Sequence, residues 1–86
     1  MIDIIYLPSF VRQYKNLEKS LQDEVIEKIE LFKNKENHKR LKLHKLHGPL
    51  KGRWSFSVNY KIRIACVFES KNIVAFLSIG DHKVYE

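Results

Sequence analysis

The feature that most constrains this chain is a run of three strand-forming segments in its last third. Trp54-Ser55-Phe56-Ser57-Val58 comes first, then Ile62-Arg63-Ile64-Ala65-Cys66-Val67-Phe68, then Ile73-Val74-Ala75-Phe76-Leu77-Ser78-Ile79 leading into Gly80-Asp81-His82. Successive side chains on a strand point to opposite faces, so a shift of one residue moves an entire apolar set from core to solvent. The loops between these segments therefore decide which residues share a face.

Trp54, Phe56 and Val58 form the apolar set of the first segment, with Arg53, Ser55 and Ser57 turned the other way. A two-residue loop at Asn59-Tyr60 would bring Arg63 onto the Trp54/Phe56 face. A three-residue loop, Asn59-Tyr60-Lys61, pairs Val58 with Ile62 and Phe56 with Ile64, and the pattern favours it. An even loop near Ser70-Lys71 then pairs Phe68 with Ile73, Cys66 with Ala75, Ile64 with Leu77 and Ile62 with Ile79. On that register Ser57, Arg63 and Ser78 share the non-core face. His82 joins them if the last strand stays extended, and Lys61 sits near Gly80. Trp54 goes to the core face. A single bulge would break the scheme.

The N-terminal half supplies what the sheet packs against. Ile2 to Leu7 reads as a strand, ended by Pro8. Ser9 is a candidate N-cap for a helix carrying Phe10, Tyr14 and Leu17. Ser20 is a second one, with Asp23 completing a capping box. Leu21, Val25, Ile29 and Phe32 form an apolar stripe on a helix over residues 20–35. The short link between the helices predicts a hairpin. Asn34 to Arg40 is a polar connection. Leu41 to His47 is either a brief strand or an extended segment on the core edge, and Gly48-Pro49 is a turn. The expected fold is α+β: one domain over residues 1–86 with chain order β-α-α-β-β-β, a helix hairpin packed on one face of an antiparallel-rich sheet, and the other face partly open.

A chain of 86 residues can build one core with little room for a deep pocket. Its single cysteine, Cys66, excludes an internal disulfide and reads as a small buried hydrophobe. No signal peptide or membrane span is evident, so a cytoplasmic location is expected. Residues 1–37 carry six Lys/Arg and seven Asp/Glu, a net of −1, while residues 38–86 carry ten and three, a net of +7. This asymmetry suits a polyanion such as nucleic acid, and it equally suits a basic face that keeps a small protein in solution.

Chemistry-bearing residues are few. The three glycines, Gly48, Gly52 and Gly80, are too scattered for a phosphate loop. His44-x-x-His47 is at best half a metal site, so neither metal nor cofactor is expected. No serine sits in a nucleophile elbow. What remains suits RNA cleavage through the RNA's own 2′-hydroxyl. Such a site needs proton transfer, a role for His82; charge stabilisation, a role for Arg63; and an aromatic to hold a base, a role for Tyr85. Lys42, Lys45, Lys51 and Arg53 suit general phosphate contacts.

The segments Leu43-His44-Lys45-Leu46, Leu50 to Val58, Tyr60-Lys61-Ile62-Arg63-Ile64 and Ile79-Gly80-Asp81-His82-Lys83-Val84-Tyr85 resemble the RelE/ParE superfamily of bacterial toxins, in particular its RelE/StbE and YafQ-like branch. The resemblance extends over nearly the whole chain. It implies the toxin of a type II toxin–antitoxin pair, which cuts mRNA in the ribosomal A site and is neutralised by a cognate antitoxin in a hetero-oligomer. It assigns acid–base catalysis to His82 and catalytic roles to Arg63 and Tyr85, with His44 and His47 as lesser contributors. Relatives often carry an acid where this chain has Lys61, which could instead hold phosphate. Two other readings use the same scaffold: a ParE-like toxin of DNA gyrase without nuclease activity, and an inactive antitoxin-binding member.

Overall fold

The computed structural model describes residues 1–48 and 52–81. The elements are β1 (Asp3–Tyr6), α1 (Pro8–Lys15), α2 (Lys19–Phe32), a 3-10 turn (Lys35–Asn37), β2 (His44–Lys45), β3 (Trp54–Ser57), β4 (Arg63–Ser70) and β5 (Ile73–Gly80). They form the expected α+β architecture: two helices on one face of a five-stranded sheet in the order β1-β5-β4-β3-β2. β1 runs parallel to β5, and every other neighbouring pair is antiparallel. The segment around His44 thus resolves as a brief edge strand.

The core is aromatic, and Phe76 sits at its centre. Tyr6, Phe10, Phe32 and Phe56 all lie with ring centroids between 5.4 and 5.7 Å from the Phe76 ring. Phe32 stacks on Phe56 at 4.5 Å. Val25 and Ile29 complete the buried stripe of α2, while Ile64, Cys66 and Val74 supply the sheet side. Rings packed at these distances add directional contacts to the area they bury.

The β3–β4 register is the one the alternation selects. Phe56 pairs with Ile64 and Ser57 with Arg63. Val58 N–H donates to the Ile62 carbonyl at 2.8 Å, closing the Asn59-Tyr60-Lys61 loop. Asn59 holds that loop: its Oδ1 accepts from the backbone N–H of Lys61 and Ile62, both at 2.8 Å, and its Nδ2 donates to Glu24 Oε1.

The β4–β5 register differs from the expected one. Phe68 pairs with Val74 and Cys66 with Phe76, and beyond a bulge Ala65 pairs with Ser78, Ile64 with Ile79 and Arg63 with Gly80. Val74 and Phe76 therefore face the helices, Ile73 is 38% exposed, and Gly80 lies opposite Arg63 rather than Lys61. Ile73 to Leu77 is apolar at every position, so alternation could not distinguish its two faces. Packing decides, since Phe76 fills the centre of the core as Ala75 could not.

The bulge leaves Leu77 out of the ladder, and α1 satisfies the backbone groups beside it. Ser9 Oγ donates to the Leu77 carbonyl, and Gln13 Oε1 accepts from Ile79 N–H at 2.9 Å. This corrects the expectation for Ser9. The N-cap of α1 is Leu7, with Pro8 at the first helical position, where its missing N–H costs nothing. Ser20 is likewise not a cap: α2 starts at Lys19 after Glu18, and ends at Phe32 rather than residue 35. Asp23 pairs with Lys19 at 2.6 Å on an exposed surface.

These contacts predict a definite ranking. In chemical denaturation Phe76→Ala should lose about 3–5 kcal/mol, while Ile73→Ala should lose about 1 kcal/mol or less. The opposite ranking would restore the register with Ile73 in the core. Ser9→Ala should cost about 1–3 kcal/mol because it orphans a backbone carbonyl at the bulge.

Candidate nucleic-acid face

The sheet surface away from the helices carries Ser55, Ser57, Arg63, Ala65, Ala75 and Ser78. It is less open than the sequence suggests. Ser55, Ala65 and Ala75 are buried, so polar groups reach solvent at its end, around Arg63 and Ser57.

Arg63 is half-buried, and its Nη1 donates to Ser57 Oγ directly across on β3. On its other side it faces Gly80, which has no side chain to cover it. Among the described residues its hydrogen-bond partner is the neutral Ser57 hydroxyl, and a guanidinium carries five N–H donors in a planar fork suited to an anion. Ser57 sets its orientation, a role that sequence pairing located but did not assign.

His44 pairs with Ser55, so it shares this face with Arg63. Two strand spacings and a two-residue offset separate their Cα atoms by about 12 Å. The exposed His44 ring Nδ1–H donates to the Lys42 carbonyl at 2.9 Å, which leaves Nε2 as the outward nitrogen. Lys42 itself is exposed and takes a left-handed φ of 61°. His47 and Arg53 are exposed near the same edge of the sheet. Leu46 N–H donates to the Arg53 carbonyl at 2.8 Å, tying the approach to β3. Among the described residues no group of three or more His, Cys, Asp or Glu could hold a metal ion.

Two candidates point elsewhere. Lys45 pairs with Trp54, and its ammonium lies 5.7 Å from the centre of that indole, on the helix side. Lys61 is exposed in the β3–β4 loop and lines a groove of about 690 Å3 with Glu18, Asp23, Glu24 and Glu27. The acids around it oppose a phosphate. Alternation along a strand could not reveal this groove, because its acids come from α2. His82, Tyr85 and Lys51 lie outside the described residues.

Cys66 is buried on the core face, and burial pushes its thiol up to about 12 from an ordinary value of 9.0. A thiol so protonated is not a nucleophile at neutral pH.

The likeness to known structures is close over the whole chain. YafQ from E. coli strain BL21(DE3) superposes with a TM-score of 0.78 at 17% identity, covering 99% of this chain and 98% of that one. The fold is that of the RelE/YoeB-type toxins. The YoeB–YefM complex from Staphylococcus aureus gives 0.73 at 20% identity, covering 95% of this chain and 98% of that one. The toxin–antitoxin complex RelBE2 from Mycobacterium tuberculosis gives 0.72 at 14% identity, with 94% and 98% covered. No protein-family model and no curated protein matches the sequence. The toxin fold is thus shared at identities where the arrangement of elements, rather than the residues, carries the likeness. Among the described residues no helix is long and apolar enough to cross a membrane.

The state of Cys66 gives a prediction. Because the folded thiol holds its proton to higher pH than the unfolded one, its contribution to stability is intact below pH 9 and is lost as pH rises toward 12. The fall in melting temperature across that window should be shallower in Cys66→Ala than in the parent. At pH 8 a thiol reagent should label Cys66 only after denaturation.

Proposed function

We infer that this protein is the toxin of a type II toxin–antitoxin pair and acts as a ribosome-dependent mRNA endonuclease needing no metal. The observation that carries this reading is the half-buried Arg63 guanidinium at the end of the sheet. It is oriented by Ser57 and lies opposite Gly80, from which the chain runs on through Asp81 to His82. The shared fold of toxins solved alone and with their antitoxins supports the same reading.

The chemistry follows from the RNA. Its 2′-oxygen attacks the adjacent phosphorus while a base removes the 2′-hydroxyl proton. The bond to the 5′-oxygen breaks as an acid returns a proton to it, leaving a 2′,3′-cyclic phosphate and a 5′-hydroxyl. His82 serves the proton transfer, with Tyr85 holding a base by stacking. Arg63 stabilises the charge that builds on the phosphate oxygens, the role for which a fixed donor fork is suited. His44, on the Arg63 face, is the second proton-transfer candidate. Lys42, Arg53, His47 and Lys51 supply sequence-independent phosphate contacts, whose contribution falls with salt. Lys45 and Lys61 are weaker members of this set, given the indole beneath one and the acids around the other.

Induced expression followed by mapping of mRNA 5′ ends tests the reading. Arg63→Ala and His82→Ala should each abolish growth arrest and lower cleavage by about 10²-fold or more, with unchanged circular dichroism. Arg63→Lys should keep only part of the activity, because a point charge cannot replace the fork. Undiminished toxicity of both alanine variants at equal expression would remove the proposed site. Gyrase–DNA cleavage complexes with intact mRNA would move the chain to the gyrase-poisoning reading.

A further inference from the structure

A second surface lies on the helix side of the sheet, toward the other end of β4. The 3-10 turn, the segment before β2, the start of β3 and the β4–β5 turn border an open cavity of about 310 Å3 lined by Lys35, His38, Leu43, Trp54, Phe68 and Lys71. That is the lower end of the range for binding pockets, roughly 300–1,000 Å3. Phe68 stands five residues from Arg63 along β4, about 17 Å, and points to the opposite face. One RNA strand held at Arg63 would not fill this cavity too.

The lining divides by chemistry. His38, Leu43, Trp54 and Phe68 are half-buried and make an apolar floor, while Lys35 and Lys71 are exposed at the rim. Lys45 adds a third ammonium beside Trp54. No acidic side chain is among the described lining residues, and the nearby Glu36 is held by Asn34 Nδ2 at 3.0 Å. The cavity therefore favours an occupant that is apolar at its centre and negative at its flanks.

The ring geometry decides between a nucleobase and an apolar side chain. A base needs an open aromatic face to stack on. Here His38 is stacked on Phe32 at 4.5 Å, and its Nε2–H donates to the Phe32 carbonyl. Phe68 meets Trp54 edge-on at 5.3 Å and His38 edge-on at 6.5 Å, and Lys45 sits over the indole. Phe68 is inclined at 64° to Trp54 and at 72° to His38, so these pairs form no slot between parallel planes. A branched aliphatic side chain suits such a surface better than a flat base.

We propose that this cavity is a docking site for a partner protein, taking a leucine-type side chain from an acidic segment whose carboxylates meet Lys35 and Lys71. The site shares with the toxin reading only the expectation of a protein partner. Its test involves no RNA cleavage, so the two fail separately.

Trp54 is the only tryptophan in the chain, so its fluorescence reports on the cavity directly. The probes are a short capped peptide of Glu and Asp around a central Leu-Leu pair, the same peptide with Gly for both leucines, and an oligouridylate RNA. The leucine peptide should shift the emission of Trp54 saturably, with affinity that weakens as salt is raised. The glycine peptide, and the leucine peptide on the Lys35→Glu/Lys71→Glu variant, should each bind about tenfold more weakly, a difference of about 1.4 kcal/mol. Both lysines are exposed, and circular dichroism checks that the variant stays folded. No emission change at millimolar leucine peptide would overturn the proposal. Equal binding of the two peptides or of the two proteins would do the same, as would RNA moving the Trp54 emission where the peptide does not.

Discussion

The packing of four aromatic rings around Phe76 is the contact on which the rest of this structure depends. It brings β1 through Tyr6, α1 through Phe10, α2 through Phe32 and β3 through Phe56 to one residue of β5. A small domain has little core to distribute, so concentrating it on one strand makes that strand the organiser. The bulge at Leu77 follows from this arrangement. With Phe76 inward, the chain must gain a residue before Ile79 can also face the core, and Ser9 and Gln13 repair the ladder at that point. One interruption in the sheet thus fixes the seat of α1.

That same interruption puts Gly80 opposite Arg63. Without the extra residue Ile79 would stand there, turned out of the core and onto the face of the guanidinium. Core packing at Phe76 and the setting of the candidate site at Arg63 are therefore parts of one solution, four residues apart on β5. The charge distribution divides along similar lines. Arg63, His44 and Lys42 belong to the sheet and its edge, while the acids of α2 gather around the β3–β4 loop and take Lys61 into their groove.

Much of the architecture was legible in the sequence because polar and apolar residues alternate where it matters. Trp54 to Val58 has serines on one face and large apolar residues on the other, so the pattern favours a three-residue loop, and with it comes the pairing of Ser57 with Arg63. Ile73 to Leu77 offers no such contrast, and the register there is set by shape: a phenylalanine fills the aromatic centre and an alanine does not. The use of Ser9 is hidden for a related reason. A serine after a proline at the start of an apolar stripe has the local chemistry of a cap, and only the distant carbonyl of Leu77 reveals its use. The groove around Lys61 and the cavity beside Trp54 draw on residues far apart in the chain, which no local pattern reports.

The pairing of β1 with β5 carries a further consequence, for the order of events as the chain is made. Residues 3–6 find their sheet partner only in residues 73–76, and β5 lies between β1 and β4. Both helices and the first strand emerge from the ribosome with no sheet to lie on, and loop closure across most of the chain must precede their docking. Folding is in this sense postponed until β5 has been made. The arginine face comes into being together with β5, and a chain truncated before Phe76 has neither the core nor the site.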